Sequence, residues 1–176
     1  NPGWQGLKYA GKKELGVIVM EPLRGGLLAN PPVGVRNIFA NAEVPRLPAE
    51  WAFRFVWENQ EVVTALSGMN SEDQVLVNAA VASTAFPNSM PNAQIEVIKK
   101  AQAWFDSKIK VPCTGCRYCV PCPKGVFIPE IFDHYNTASM RGLLEENGKT
   151  FLTDYKKLVE ENHGANQCVN CGACAK

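Results

Sequence analysis

The sequence predicts an α/β unit followed by a mostly α-helical, cysteine-rich unit. Two apolar runs of strand length, Leu15–Met20 and Val62–Leu66, each lead through a loop toward a helical pattern, the repeating unit of an α/β fold. All seven cysteines lie beyond residue 112, in two groups at x2 spacing. Helical stripes occupy the stretch between those groups. A length of 176 residues, 46% hydrophobic and 20% charged, suits a globular chain of one domain or slightly more. A net charge of +1 excludes the strong field of a non-specific nucleic-acid binder. No run approaches the roughly 18 apolar residues of a membrane span, and no secretory or transit segment is evident. The chain opens on Asn1 and closes at Cys174-Ala175-Lys176 inside a cysteine motif, so it reads as a piece of a longer protein.

A helix tail with Leu7, Tyr9 and Ala10 ends near Gly11. Leu15–Met20 is rich in β-branched residues and is expected to be a buried strand of a parallel sheet. The following loop carries Gly25-Gly26, which either allows close backbone approach to a ligand or simply forms a turn. Pro31-Pro32 marks a further loop. Pro48 suits the first position of a helix running to about Asn59, although Trp51, Phe53, Phe55 and Trp57 also alternate as in a strand. Trp51, Phe55 and Trp57 are expected to anchor the core. Val62–Leu66 is the second buried-strand candidate. Ser71-Glu72-Asp73-Gln74 fits a capping box opening a helix to about Ser83, with Val75, Ala79 and Ala82 inward. A longer helix, Asn92 to Ser107, places Ile95, Ile98, Ala101 and Phe105 on one face. Lys99-Lys100 and Lys156-Lys157 read as solvated helix faces. Two strand–loop–helix units cannot close an eight-stranded barrel but could be the last two units of one.

The first cysteine group is C-x2-C-x2-C-x2-C-P, formed by Cys113, Cys116, Cys119, Cys122 and Pro123. The second is C-x2-C-x2-C, formed by Cys168, Cys171 and Cys174. Such clustering differs from a disulfide framework, whose half-cystines are spread among the loops they staple. A tight triplet aims three thiolates at one centre, and a four-iron cubane takes a fourth from elsewhere. Zinc competes, but all-cysteine zinc sites usually use two separate pairs. The motif therefore predicts two [4Fe–4S] clusters in the complete protein. The last gap of the first group is x2 where the bacterial ferredoxin form has x3, which leaves two ligand sets open. In the crossed set Cys122 joins Cys168, Cys171 and Cys174, and Cys113, Cys116 and Cys119 await an eighth Cys past Lys176. In the uncrossed set the first four cysteines serve one cluster. Crossing is favoured because Cys-Pro is the crossing element of ferredoxins. Between the groups, Pro129 opens a helix with Ile131, Phe132 and Tyr135, and residues 150–162 carry a stripe of Phe151, Leu152, Tyr155, Leu158 and Val159. Both resemble the helices of an α-helical ferredoxin domain. His134 and His163 read as surface-helix residues.

Three stretches together are similar to one enzyme family. Gly16-Val-Ile-Val-Met-Glu-Pro-Leu-Arg-Gly-Gly26 resembles the seventh strand and loop of the aldo/keto reductases. Val62 to Asn78 resembles their eighth strand and the start of the next helix. Pro112 to Val126 resembles the cysteine segment of the subfamily with a ferredoxin-type domain. The resemblance implies the last two units of a (β/α)8 barrel over residues 1–107, a linker at 108–112 and a 4Fe–4S domain over 113–176. It implies an NAD(P)-dependent oxidoreductase acting on a small carbonyl or alcohol, with a possible electron-transfer partner. The alternative is a ferredoxin-like electron-transfer or binding module on an inactive barrel.

By the same resemblance, Met20 stands where many relatives stack an aromatic residue on the nicotinamide. Glu21, Leu23, Arg24 and Gly25 face the pyrophosphate, Arg24 either pairing with it or lying on the loop surface. Gly68, Met69, Asn70, Gln74 and Asn78 border the adenosine end. Gly68 and Gln74 replace basic residues that hold the 2′-phosphate in NADPH-selective relatives, and Glu72 and Asp73 add negative charge, so strong NADPH selection is not expected. The same two acids also complement the helix dipole. No catalytic residue is named, because the family's acid–base groups lie on earlier strands. Thiolate clusters of this kind suit a reducing compartment, so the cytoplasm is expected. Taken alone, the 176 residues are expected to be unstable because an open barrel quarter exposes strand edges.

Overall fold

The computed structural model describes residues 3–144 and 149–175. The chain divides into two compact units, Asn1–Gln102 and Ala103–Lys176.

In the first unit, helix α1 (Gly3–Lys12) leads to strand β1 (Val17–Val19). Helices α2 (Val33–Ala40) and α3 (Pro48–Trp57) precede strand β2 (Val62–Ala65), which is followed by α4 (Glu72–Ala82). The two strands pair in parallel, Val17 opposite Val62, Ile18 opposite Thr64 and Val19 opposite Ala65, with an irregularity after Val17. Parallel pairing requires a crossover, and α2 and α3 supply it. Helix α3 begins on Pro48, whose missing N–H costs nothing in a first turn. It contributes the fully buried Trp51 and Phe53. Phe39 of α2 stacks on Trp51 with ring centroids 5.6 Å apart, and the Arg46 guanidinium lies 5.1 Å from the same indole. The core therefore sits between α2, α3 and β2.

Four expectations need correction. The strands are not buried throughout: Val62 is buried, but Ile18 and Val63 are 59% and 63% exposed. Helix α3 packs on β2 and α1 on β1, and a sheet of only two strands leaves these side chains open to solvent. Phe55 and Trp57 are only half-buried, whereas Phe53 takes the core position. On α4, Val75, Ala79 and Ala82 face outward, while Val81 is buried and Asn78 half-buried. Apolar residues lie all around that helix, so their spacing could not fix its phase. Helix α2 lies where a loop was expected; its inward pair Val35 and Phe39 is spaced i, i+4 after Pro31-Pro32.

Helix α5 (Asn92–Lys108) has the expected inward face, with Ala101 buried and Ile95, Ile98 and Phe105 half-buried. The division between the two units falls inside it.

The second unit contains α6 (Ile128–Met140) and α7 (Lys149–Glu160), which pack together, and two short 3-10 turns, Ala165–Gln167 and Ala173–Ala175. On α6 the buried positions are Pro129, Asn136, Ala138, Ser139 and Met140, while Ile131, Phe132 and Tyr135 are half-buried. On α7, Tyr155, Leu158 and Val159 are half-buried and Leu152 is exposed; the side chain of Phe151 lies outside the described residues. No described helix is long and apolar enough to cross a membrane.

Candidate functional site

The two cysteine triplets share one backbone design. In Cys113–Cys119 the third and fifth residues, Gly115 and Arg117, take φ of 68° and 64°. In Cys168–Cys174 the same positions, Asn170 and Gly172, take 54° and 73°. In each loop the fifth residue's carbonyl accepts from the amide three residues on, Val120 to Arg117 at 3.0 Å and Ala175 to Gly172 at 3.1 Å. Left-handed residues curl a short loop so that N–H groups point inward, a concave arrangement that receives anions. Here those groups meet sulfur: the Asn170 N–H donates to Cys168 Sγ at 3.4 Å. The Cys116 thiol is held below its ordinary pKa, first by the Tyr118 N–H and then by the Thr114 hydroxyl. Both contacts favour the thiolate, the form that binds metal.

All seven cysteines are free thiols. Cys122, Cys168, Cys171 and Cys174 line one cavity of about 310 Å³, and Cys119 stands on its wall as well. Cys113 and Cys116 do not line it. Its apolar side is built by Val126, Ile128, Ile131 and Phe132. Soft thiolates around an apolar cavity are a donor set suited to an iron–sulfur cluster. No three described His, Cys, Asp or Glu side chains converge closely enough to hold one metal ion.

The flanks of the two loops are held by different devices. Asn136 of α6 is buried; its amide oxygen accepts from the Lys110 and Val111 N–H groups at 2.9 and 3.0 Å, and its NH2 donates to the Val111 carbonyl at 2.7 Å. Arg117 pairs with Glu130 at 2.9 Å. On the other side, the Tyr155 hydroxyl accepts from the Ala165 N–H at 2.9 Å, just ahead of Cys168. His134 is exposed on α6 as expected. His163 is not on a helix surface: it lies beyond the end of α7, half-buried, with its ring against Phe127. Composition and spacing carried no signal for Asn136 or His163, because each acts through a partner more than 20 residues away.

A second cavity, about 570 Å³, lies in the first unit at the carboxyl ends of both parallel strands. In open α/β sheets that end is where ligands bind. Two distant segments meet there. Met20, Glu21, Leu23 and Gly25 come from the loop after β1, and Gly68, Gln74 and Asn78 from the segment after β2. Arg24, Met69 and Asn70 are not on its wall. The loop is tightly wound: Glu21 and Arg24 adopt φ of 52° and 49°, and Gly25 and Gly26 take 61° and 84°. A Cβ on Gly25, Gly26 or Gly68 would meet nothing within 4 Å, so these backbones present open space. Ser71 caps α4, accepting from the Gln74 N–H at 3.4 Å, while the Gln74 side chain accepts from the Asn70 N–H at 2.9 Å. Asn78 donates to the Ser67 hydroxyl at 3.3 Å. Ser67, at the start of the segment expected to border the adenosine end, also lines the cavity, as do Asn30 and Ala49, which were not expected there.

No curated protein and no solved structure matches the chain. Residues 112–176, the stretch that holds both triplets, match the family of 4Fe-4S dicluster domains. That stretch is an iron–sulfur domain, which points to an electron-transfer or redox role.

Proposed function

We propose that the protein is an iron–sulfur oxidoreductase with crossed cluster ligation: Cys122, Cys168, Cys171 and Cys174 hold one [4Fe–4S] cluster, and Cys113, Cys116 and Cys119 serve the other. The observation that carries this reading is the shared cavity, whose wall joins Cys122 to all three cysteines of the second triplet, whereas of the first triplet only Cys119 stands on it. When bound, such clusters supply single-electron transfer. The chain's own part is to place thiolates around the cavity, to direct the Asn170 and Tyr118 N–H groups at sulfur, and to close one side with apolar residues. Hydrogen bonds to the sulfurs and exclusion of water are the protein's means of setting a cluster's potential.

The first unit fits a nicotinamide-nucleotide site of the aldo/keto reductase type. Support comes from the convergence of the loop after β1 and the segment after β2 on one cavity. The N-terminus of α4, capped by Ser71, would favour a phosphate nearby. Glu72 and Asp73 in its first turn argue against strong selection of NADPH over NADH. The substrate in this reading is a small carbonyl or alcohol. Because a hydride carries two electrons and a cluster passes one, the clusters exchange electrons with a separate partner.

The deciding experiment is iron and sulfide analysis with electron paramagnetic resonance on anaerobically purified full-length protein. Two four-iron clusters give roughly eight irons per chain and a signal on reduction. Zinc in their place, with no signal, would sink the proposal. Titration with NADH and NADPH tests the first unit, and binding of neither would leave the electron-carrier reading.

A further inference from the structure

We infer that His163 is a positioning residue that fixes the reach between Cys122 and Cys168, and so assembles the cavity in which those two ligands meet. The inference rests on the crossed ligation proposed above.

Cys122 and Cys168 stand 46 positions apart, but the segment after Cys122 touches the segment before Cys168. Gly125–Phe127 follows Cys122, and its amide at Gly125 donates to the Cys122 carbonyl at 2.9 Å. His163 lies five positions before Cys168. Three contacts join the two segments. The imidazole Nδ1 lies 2.9 Å from the Gly125 carbonyl oxygen. The Phe127 N–H donates to the His163 carbonyl at 3.0 Å. The imidazole stacks flat on the Phe127 ring, centroids 3.7 Å apart and planes within 8°. A carbonyl only accepts, so Nδ1 is the donor in this contact.

His163 is itself held on the far side. Its N–H donates to the Leu158 carbonyl at 2.7 Å, tying it to the end of α7. Val126, between the two clasped residues Gly125 and Phe127, is buried and forms part of the cavity wall. The imidazole does not line the cavity; it acts through Gly125. The first triplet has no part in this clasp, because its entry segment is held by Asn136. Loss of His163 should therefore affect one cluster and spare the other.

The test uses full-length protein purified anaerobically, with iron, sulfide and paramagnetic resonance as readouts. His163→Ala should lower the iron content from about eight to about four per chain, with one cluster's signal retained. His163→Asn, which keeps an N–H donor near the place of Nδ1, should restore much of the lost iron. Combined with Cys113→Ser, which removes the first triplet's cluster, His163→Ala should leave almost no iron. Circular dichroism confirms that the helices persist. His163→Ala protein with both clusters and unchanged spectra would overturn the inference alone. Loss of both clusters together, or no recovery in His163→Asn, would also overturn it. Wild-type protein without iron would overturn the ligation reading first and this inference with it.

Discussion

Gly115 and Arg117 in the first cysteine triplet adopt nearly the same left-handed turns as Asn170 and Gly172 in the second. The two loops nevertheless differ in their surroundings. Cys119 and Cys122 reach the 310 Å³ cavity from the first group, whereas all three cysteines of the second triplet do. The first loop enters from a segment clamped by the buried Asn136. The second enters from a short turn pinned to Tyr155 and, through His163, to the residues after Cys122. The x2 spacing thus dictates the curl of each loop, and the anchors outside it decide which cysteines share a cavity.

The sharpest way to break the comparison is at Cys122. Cys122→Ser should remove the cluster of the second triplet and leave that of the first, so iron falls from about eight to about four per chain. Cys168→Ser should give the same remaining resonance signal, since both cysteines would serve one cluster. Cys113→Ser should leave the opposite one. If Cys122→Ser and Cys113→Ser leave the same signal, ligation is uncrossed and the shared cavity is incidental.

The next effect separates anchor from loop. Asn136→Ala removes three hydrogen bonds to the segment before Cys113. At roughly 1 kcal/mol net for each, the second unit should lose about 3 kcal/mol of stability. Urea denaturation read by circular dichroism checks this. The damage should fall on the first triplet's cluster, opposite to that of the His163 variants. A change below about 1 kcal/mol would mean that Lys110 and Val111 find water as readily as Asn136.

Much of this arrangement was legible in the residues. Cysteine spacing announced both loops, because a C-x2-C-x2-C run permits few backbone paths. The left-handed turns inside them came from the structure, with Gly115 and Gly172 at one such position in each. Their partners were hidden: Arg117 has no sequence reason to sit at positive φ, and Asn170 only tolerates it. Parallel pairing of the two apolar runs was readable from their composition. The exposure of Ile18 and Val63 was not, because burial depends on what covers the second face of the sheet. Gly25 and Gln74 were placed by resemblance, and the convergence of their segments on one cavity needed the crossover through α2 and α3. Neither α2 nor the phase of α4 followed from periodicity. One helix is short, and the other is apolar on every face.

Swapping residues at equivalent loop positions makes a finer comparison. A Cβ on Gly115 or Gly172 meets nothing within 4 Å, so an alanine there is resisted by the backbone alone. Gly115→Ala and Gly172→Ala should each cost roughly 1–2 kcal/mol. Arg117→Gly and Asn170→Gly should have a much smaller effect, since they relieve φ strain while loosening the unfolded chain. Arg117→Gly also gives up the exposed pair with Glu130, worth about 0–1 kcal/mol. Stability measured on all four variants tests whether the loops are one design. Unequal costs for the two alanine substitutions would show that they are not.

The smallest effect concerns proton chemistry at Cys116. Its thiol pKa is lowered first by the Tyr118 N–H and then by the Thr114 hydroxyl. In metal-free protein its thiolate should therefore persist to lower pH than that of an ordinary cysteine, and alkylation of Cys116 should begin at correspondingly lower pH. A depressed pKa favours the folded loop at pH values where the thiolate prevails, and this contribution fades as pH falls through the folded-state value. Thr114→Val removes the hydroxyl but leaves the larger contribution of the Tyr118 amide. The alkylation profile of Cys116, followed by mass spectrometry, should then move upward without reaching that of an unperturbed thiol. A shift all the way would mean that the hydroxyl, not the curl of the loop, sets the acidity. No shift would assign it to the backbone alone, the one partner that the x2 spacing itself provides.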